Sequence, residues 1–514
     1  MSAKVTSIGL KGLESYKVTV EVQAVPGLNS IVIVGLPDTS VKESKQRITA
    51  AFHSLNVFLH QQKIIINLSP PEQKKNGPMF DLPIAIGILS CLQEITMNIP
   101  ESIGFIGALS LDGGIQPVDG MLAAVLAAKQ IGLKRIFLPY TENLLGLEIE
   151  NLELIFVNHL QQVVDNLAGI RSIPPKVIQA VEEEPIYFYS DFQNIIGHSF
   201  AKYALTVAAA GEHHVFMSGP PGCGKSLLAE SFPSILPPLT KEARLEVMSI
   251  YQLSGITNPY PMIPPYRNPH HSSSGVSIIG GGQNPKPGEI SLAHRGTLFL
   301  DELAEFPKKT IEMLRQPLEA GVVSISRART TVTYPSSFIL IGAMNPCPCG
   351  YHGSPNHYCT CSTKQINAYQ NRISGPMRDR FDIFLTLKPV NLNKAMENHR
   401  ESSEEIRQRV ADARKRQGQR YSKEITNGRV TYETLSQTSP LTQSQQRFLQ
   451  KLAYKYGWSN RAQLKIYRLA RTIADLEQKQ EITEQHLWEA LKLHSLSAVK
   501  TDQKASGVTQ PFGT

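Results

Sequence analysis

The sequence of 514 residues predicts an α/β protein with a helical C-terminal part. In residues 1–390, short apolar runs of strand length alternate with segments of helical spacing, whereas residues 391–500 contain helical patterns. A short apolar run at 213–218 also leads into a glycine-rich loop, and a helix-forming run follows that loop at once. The length is too great for one core and indicates about three domains.

Composition limits the class of protein. Hydrophobic residues make up 41% of the chain and charged residues 19%, which is ordinary for a soluble globular protein. No run of 18 apolar residues occurs, and residues 1–7 lack the apolar core of a signal peptide. We therefore expect a cytoplasmic protein with no membrane partner. The formal net charge of +8 is compatible with a polyanionic partner but does not by itself identify one.

Residues 1–170 are predicted to form the first α/β domain. Alternation and apolar runs predict strands at 17–23, 31–34, 63–68, 135–138 and 153–157. Helical spacing predicts helices that begin at Asp38 and that span about 80–93 and 119–131. A hairpin is expected between 103–107 and 115–118, because Asp112-Gly113 favours a tight turn.

Three phrases of this domain, at 35–38, 80–85 and 107–113, resemble the N-terminal domain of the ComM/YifB family. The resemblance implies a fold like that of the Lon protease domain and of the second domain of ribosomal protein S5. Lon-type proteolysis needs a nucleophilic Ser after Gly-Pro and a Lys after a later Gly-Leu pair. The corresponding segments read Gly77-Pro78-Met79 and Gly120-Met121-Leu122, so we expect a non-proteolytic module for interaction or ring building.

The segment 171–190 is predicted to be an exposed linker, since it combines Pro174-Pro175 with the acidic run 182–184.

The second domain, 191–390, is organised around a P-loop pattern, which consists of Gly219, four further residues, and then Gly224-Lys225-Ser226. Glycines allow the backbone to wrap closely around phosphates, Lys225 would meet the β and γ phosphates, and Ser226 would offer its hydroxyl to Mg²⁺. The residues predicted to bind ATP in this loop are Gly219, Pro220, Pro221, Gly222, Cys223, Gly224, Lys225 and Ser226.

A second apolar strand, 296–300, ends in Asp301 and Glu302. Such a strand would place Asp301 beside the metal and Glu302 where it can orient and polarise an attacking water. A further buried strand, 337–344, ends in Asn345. Together with the P-loop, these strand ends resemble those of AAA+ ATPases.

The AAA+ resemblance implies roles for residues that the pattern alone does not assign. Asn345 would be the sensor residue near the γ-phosphate. Arg380, in Asp379-Arg380-Phe381-Asp382, is the first candidate for an arginine that reaches the ATP of a neighbouring subunit, and Arg378 is the second. Arg461 would be the second sensor arginine, carried by the lid. Ile196 and Gly197 would touch the adenine.

About seventy residues separate the P-loop from Asp301, and they are rich in glycine and proline. The stretches 269–274, 280–282 and 287–294 resemble those of the ComM/YifB proteins and of magnesium-chelatase ATPase subunits. In that branch an insertion in helix 2 and a hairpin before the sensor strand project into the pore of a ring. Here the hairpin would be 321–332, and Arg327 and Arg329 near its tip suit contacts with the DNA backbone.

Two histidines and four cysteines raise the question of metal binding. His270 and His271 have no third ligand nearby in sequence, so we prefer a structural or pore-lining role for them. The cysteines form two C-x-C pairs within fifteen residues and suit a structural Zn²⁺ site in an insertion at 347–361, although free thiols or redox chemistry remain alternatives. The predicted zinc ligands are Cys347, Cys349, Cys359 and Cys361.

Residues 391–500 are predicted to form a helical lid, and residues 501–514 a disordered tail. Ser402 and Glu405 have capping-box spacing, and the basic run 407–416 that follows is interpreted as a solvated helix face. Ser459 opens another helix, and 482–491 forms a final amphipathic one.

Over nearly its whole length the sequence resembles the ComM/YifB family. The resemblance implies a homo-oligomeric, hexameric ring that hydrolyses ATP with Mg²⁺ and translocates on single-stranded or branched DNA as a helicase or branch-migration motor. Its implied setting is natural transformation or recombination. A protein-remodelling ATPase of the magnesium-chelatase kind is the alternative, although the chain offers no porphyrin site.

Overall fold

The computed structural model describes residues 2–59, 61–141, 144, 149–170, 189–256, 262–282, 285–327, 330–354, 357–390, 401–422 and 424–494. The chain forms two compact units. The first comprises the described parts of 1–184, 245–260 and 326–334, and the second those of 185–244, 261–325 and 335–514. Several predicted features lie outside the described residues: Arg329, the side chain of Arg327, residues 171–188 of the linker predicted at 171–190, and the tail at 501–514.

The first unit is built on a seven-stranded mixed sheet with the order β3-β4-β2-β1-β5-β8-β9. Its strands are β1 (Ser2–Lys11), β2 (Glu14–Pro26), β3 (Ser30–Val34), β4 (Gln62–Ser69), β5 (Ile103–Phe105), β6 (Ala108–Leu109), β7 (Ile115–Gln116), β8 (Arg135–Pro139) and β9 (Glu153–Val157). Its helices are α1 (Thr39–Ser54), α2 (Asp81–Cys91), α3 (Met121–Ile131) and α4 (Leu160–Leu167). β1 pairs antiparallel with β2 and parallel with β5, so the N-terminal strand joins the two halves of the sheet.

Most of the elements predicted for this unit are confirmed, and α1 begins as expected because the Asp38 side chain accepts a hydrogen bond from the Val41 N–H. The predicted hairpin was wrong in its first strand. Residues 103–105 pair parallel with β1 and β8, and the antiparallel hairpin is instead β6 with β7. The predicted turn at Asp112-Gly113 is present and joins β6 to β7. The chain leaves β5 at Gly107, whose φ is 156°, before this hairpin begins.

Two stretches distant in sequence also belong to the first unit. Within 245–260, Met248 is buried in its core, and the Gln252 side chain accepts a hydrogen bond from the Leu122 N–H at 3.2 Å. Within 326–334, Val332 lies so close to Gly12 that a Cβ atom there would be 2.3 Å from its Cγ1. Both stretches come from the segments predicted to be insertions.

The second unit carries a five-stranded sheet with the order β11-β14-β17-β10-β18. The remaining strands of the chain are β10 (Val215–Ser218), β11 (Tyr266–Arg267), β12 (Gly280–Gly281), β13 (Lys286–Pro287), β14 (Thr297–Leu300), β15 (Val322–Arg327), β16 (Thr330–Pro335), β17 (Ile339–Met344) and β18 (Ile383–Thr386). The remaining helices are α5 (Ser199–Gly211), α6 (Lys225–Ser231), α7 (Lys241–Leu253), α8 (Gly275–Ile279), α9 (Glu289–Leu292), α10 (Lys308–Met313), α11 (Arg315–Ala320), α12 (Thr363–Gln370), α13 (Gly375–Arg378), α14 (Ser403–Tyr421), α15 (Tyr432–Thr438), α16 (Gln443–Tyr456), α17 (Asn460–Leu476) and α18 (Glu484–His494).

All neighbouring strands of this second sheet are parallel. Strands β10, β14 and β17 are almost wholly buried, as expected for strands of a parallel sheet covered on both faces. Their burial fixes the sheet in the middle of the unit, so its carboxyl-terminal edge is a rigid platform for the residues that follow each strand.

Helices α14 to α18 make up the predicted lid region, and α14 begins with the predicted capping box between Ser402 and Glu405. The prediction that the basic run of α14 is a solvated face is wrong for two of its arginines. Arg407 donates to the Ser234 carbonyl at 2.7 Å, and Arg414 donates to the Ala209 carbonyl at 2.7 and 3.0 Å. These arginines fasten the helix to other elements of the second unit, because each guanidinium can satisfy carbonyl oxygens and still carry its charge.

Within the described ranges, no helix combines the length and the apolar character that crossing a membrane requires.

Candidate functional site

The carboxyl ends of three adjacent parallel strands bring the candidate site together. Strand β17 lies between β14 and β10 in the sheet. Asp301 follows β14, Asn345 follows β17, and the glycine-rich loop 219–224 follows β10. Since parallel strands end at a common edge, residues that are far apart in sequence become neighbours there.

The glycine-rich loop has the backbone geometry that its sequence predicts. Gly222 and Gly224 have φ values of 72° and 88°, a region that residues with a Cβ rarely adopt. A Cβ atom at Gly219 would lie 2.8 Å from the Leu387 carbonyl oxygen. The loop is therefore closely packed at Gly219, and its two glycines of positive φ give the backbone the form of a cradle of the kind that binds phosphate.

Lys225 is the first residue of α6, and its amine is held at this edge. The Nζ atom donates to the carbonyl oxygens of Gly219 and Pro220 at 2.7 and 3.0 Å, and to Oδ1 of Asn345 at 3.1 Å. The side chain is only 8% exposed, and burial lowers the pKa of Lys225. These three acceptors are all neutral oxygens, so an anion bound in the loop would be a stronger partner for the ammonium group.

Ser226 and Asp301 lie within hydrogen-bond distance, with Ser226 Oγ donating to Asp301 Oδ2 at 2.7 Å. A hydroxyl and a carboxylate at this separation supply the hard oxygen ligands that Mg²⁺ prefers. The donor set therefore fits a magnesium ion held beside the phosphate loop.

Glu302 has an unusual backbone conformation and a histidine partner. Its φ and ψ are 49° and 44°, and its N–H donates to Oδ1 of Asp301 at 2.8 Å. Its Oε2 atom lies 3.3 Å from Nδ1 of His271, and the His271 ring contacts the rings of His270 and Phe306. The preferred structural or pore-lining interpretation of these histidines missed this contact, because nothing local in sequence links residue 271 to residue 302.

The loop after Asn345 packs on the phosphate loop. A Cβ atom at Gly350 would lie 2.7 Å from the ring of Pro221 and 3.9 Å from Cγ of Asn345. Gly350 also has a φ of 85°, so this position requires glycine on two grounds. The cysteine segment and the site edge are thus in direct contact.

The four cysteines of this segment converge, as predicted from their spacing. Their Sγ atoms all lie within 4.8 Å of one another, and the pairs 347–349, 347–359 and 349–359 are 3.4, 3.7 and 3.6 Å apart. Tetrahedral zinc with Zn–S bonds of about 2.3 Å would separate its sulfur ligands by roughly 3.8 Å. None of the four thiols forms a disulfide, so the donor set fits Zn²⁺.

Arg380 and Arg461 meet at a shared carboxylate. Nη2 of Arg380 lies 2.6 Å from Oε1 of Glu319, and Nη2 of Arg461 lies 2.9 Å from the same oxygen. Their Nη1 atoms are 3.7 and 3.8 Å from Oδ2 of Asp379. Arg378, the second candidate, instead donates to the Gln370 carbonyl at 2.5 Å.

The segment expected to touch the adenine lies against the phosphate loop. Gly197 has a φ of 71°, and a Cβ atom there would be 2.7 Å from Val390. The ring of His198 hydrogen-bonds to the backbone of Cys223, and burial lowers the pKa of His198. The contact of Ile196 and Gly197 with adenine stays a prediction.

Family descriptions match three parts of the chain. "Magnesium chelatase, subunit ChlI" matches residues 191–395, "Subunit ChlI of Mg-chelatase" matches 20–142, and "Magnesium chelatase, subunit ChlI C-terminal" matches 400–494.

Full-length relatives decide the family. The chain is 37% identical over 492 residues to the uncharacterized protein YifB of Escherichia coli, covering 94% of this chain and 95% of that one. It is 36% identical over 509 residues to the competence protein ComM of Haemophilus influenzae, covering 97% and 98%. The chain belongs to the ComM/YifB family.

Other matches agree with this assignment. Lon protease 2 of Bacillus subtilis is 30% identical over 93 residues, which is 18% of this chain and 16% of that protein. The fold of a ComM/YifB protein, an AAA+ α/β core with a helical lid, is thereby confirmed. Membership in this magnesium-chelatase-like AAA+ family also supports ATPase activity with ATP and Mg²⁺.

Proposed function

We propose that this chain is a ring-forming ATPase that couples ATP hydrolysis to translocation on DNA. It would act in the cytoplasm as a helicase or branch-migration motor of the ComM type, in natural transformation or recombination. The observation that supports catalysis most directly is the meeting of Lys225, Ser226, Asp301 and Asn345 at one sheet edge, with hydrogen bonds of 2.7 to 3.1 Å joining them in pairs.

ATP would bind with its phosphates in the loop 219–224. Lys225 would exchange its carbonyl partners for the β and γ phosphate oxygens, since a charged acceptor is favoured over neutral ones for a buried ammonium group. Ser226 and Asp301 would hold Mg²⁺, which when bound neutralises charge on the phosphates. Ile196 and Gly197 would contact the adenine.

Glu302 would orient and polarise the attacking water. Its carboxylate is 51% exposed, so water can reach it, and His271 fixes one of its oxygens. Asn345 would hold the same water or the γ-phosphate from the other side, because its side chain already lies within 3.1 Å of the Lys225 amine.

Hydrolysis would take place between subunits of a homo-oligomeric ring, which we propose to be a hexamer. Arg380, supported by the lid residue Arg461, would reach the γ-phosphate of a neighbouring subunit. An arginine supplied in this way is worth about 10³ to 10⁵ in rate, so an isolated subunit would hydrolyse ATP slowly.

DNA as the substrate is supported by the relative named competence protein ComM and by the net charge of +8. In the ring pore, Arg327 and Arg329 would contact the phosphate backbone of single-stranded or branched DNA. Such contacts carry little sequence preference. Lid movement with nucleotide state would then pull on the bound strand.

The four cysteines would hold a structural Zn²⁺. Their Sγ separations support this. Because Gly350 of the same segment packs against Pro221, the bound metal would stabilise the loop that contacts the phosphate cradle.

Stimulation of ATP hydrolysis by DNA tests this function. The purified protein should hydrolyse ATP faster with single-stranded or forked DNA, and Glu302→Gln should bind ATP without hydrolysing it. The magnesium-chelatase description of residues 191–395 favours a second candidate, a protein-remodelling ATPase. Stimulation by a protein partner and not by DNA would select that candidate.

A further inference from the structure

The carboxylate of Glu319 connects the two arginines that we assign to the subunit interface. Glu319 lies in α11, whereas Arg380 follows α13 and Arg461 is in the first turn of α17. These three elements come from separate parts of the chain, yet one oxygen, Oε1 of Glu319, lies 2.6 and 2.9 Å from the two guanidinium groups.

The pairing follows a regular pattern. Both Nη2 atoms approach Glu319, and both Nη1 atoms approach Oδ2 of Asp379 at 3.7 and 3.8 Å. Two cations are thus bridged by two carboxylates, and the cluster is neutral as a whole. Without a carboxylate between them, the two guanidinium groups would repel each other and separate.

The arginines depend on Glu319 to different degrees. Arg380 is 9% exposed and held by its surroundings, whereas the Arg461 side chain is 61% exposed. An exposed arginine samples many rotamers unless a partner fixes it. Glu319 provides the shorter of the two contacts that hold Arg461, so its carboxylate decides where that guanidinium lies relative to Arg380.

The backbone around the cluster is anchored separately. Lys465, one turn after Arg461 on α17, donates to the carbonyl oxygens of Asp379 and Phe381 at 2.5 and 2.9 Å. Removing the charge of Glu319 should therefore displace a side chain and leave α17 in place. This makes a functional effect of Glu319 separable from an effect on folding.

We propose that Glu319 is a positioning residue for ATP hydrolysis, whose carboxylate holds Arg380 and Arg461 side by side so that both meet one phosphate of the neighbouring subunit. The inference rests on the proposed function, since it concerns arginines that act across a subunit interface. Glu319 touches no nucleotide in this account and acts only through the two arginines.

The first test is steady-state ATP hydrolysis by full-length Glu319→Gln. We expect kcat to fall about tenfold with KM within about twofold, because misplacing a catalytic group by about 1 Å costs up to about a hundredfold. Glu319→Asp, which keeps the charge, should recover part of the rate. Glu401→Gln is the matched control, since Glu401 is 47% exposed against 46% for Glu319 and, among the described residues, pairs with one arginine, Arg409, at 2.8 Å.

Rings assembled from two different variants test the role of Glu319 separately from the proposed interface role of Arg380. Lys225→Ala subunits cannot use ATP but still carry both arginines, so they should restore hydrolysis to Arg380→Ala subunits. Lys225→Ala/Glu319→Gln subunits should restore it at least fivefold less well. If neither donor restores hydrolysis, the interface role of Arg380 is wrong.

Equal restoration by the two donors, or a kcat of Glu319→Gln within twofold of the Glu401→Gln control, would overturn the role of Glu319. Binding of a fluorescent ATP analogue checks that each variant is folded. A Glu319→Gln protein that hydrolyses ATP faster than wild type would likewise overturn the proposal, because it would mean that the carboxylate restrains the arginines.

Discussion

Nδ1 of His271 lies 3.3 Å from Oε2 of Glu302, the residue expected to activate water. The histidine is in turn packed against the rings of His270 and Phe306, at centroid distances of 4.1 and 6.4 Å. A carboxylate that must point at one water gains from a partner that restricts its rotamers.

We therefore predict that His271→Ala lowers kcat about tenfold while leaving the affinity for ATP nearly unchanged. Steady-state hydrolysis and analogue binding together measure this split. His270→Ala is the matched control, because the His270 ring bonds to Ser272, whereas the neighbouring His271 is the ring that lies against Glu302. If the two variants lose activity equally, the contact with Glu302 has no specific role.

Two glycines of the cysteine segment test the contact between that segment and the phosphate loop. Gly350 and Gly353 both have positive φ, at 85° and 77°, but a Cβ atom meets the Pro221 ring at 2.7 Å only at Gly350. Both alanine variants should lose about 1 kcal/mol of stability from the backbone conformation. Only Gly350→Ala should also weaken ATP binding, and equal binding by the two variants would mean that the contact does not shape the loop.

Metal analysis tests the cysteine cluster. We predict one zinc per chain, lost in Cys347→Ser, and a lower Tm for that variant because the loop then loses the crosslink that the metal would provide. Cys91→Ser is the control, since Cys91 is also buried but lies in α2 of the first unit. A wild-type protein that contains no zinc when purified without chelators would contradict the assignment.

His214 should make the second unit sensitive to acid. Burial lowers the pKa of His214 to about 4, and Nδ1 of its ring accepts a hydrogen bond from the Leu340 N–H at 3.0 Å. In the unfolded chain the ring takes up a proton near pH 6.5, so the unfolded state binds more protons between about pH 6.5 and 4.

The free energy of unfolding should therefore fall by up to about 3 kcal/mol as the pH drops through that window. Urea unfolding at a series of pH values measures the slope. His214→Asn, whose side-chain oxygen can still accept from Leu340, should reduce the slope by this amount. The same slope in both proteins would show that His214 does not titrate as described.

The sequence predicted the parts of the site that are local. A loop between a strand and a helix, strands that end in Asp301-Glu302 or Asn345, and closely spaced cysteines each have a signal within a few residues. Their convergence also follows, because parallel strands share an edge. Contacts such as those of Glu319 with Arg380 and Arg461 have no local signal, since they depend on how three separate elements pack.

The elements missed in the fold have physical reasons too. β1 was not predicted, because polar residues interrupt its apolar pattern: Thr6 and Ser7 are buried in it, and Ser7 Oγ donates to the Phe105 carbonyl at 3.0 Å. The α14 arginines were interpreted as solvated for a similar reason. Their partners are backbone carbonyls of distant residues, which sequence patterns do not reveal.

The most direct test of the central claim is ATP-dependent unwinding of forked and three-stranded DNA by the purified protein. Two variants serve as controls. Lys225→Ala should remove nucleotide binding, and Glu302→Gln should remove hydrolysis. The account predicts unwinding by the wild type and none by either variant. Ordinary ATP hydrolysis that DNA leaves unchanged, with no strand displaced, would contradict a motor that acts on DNA.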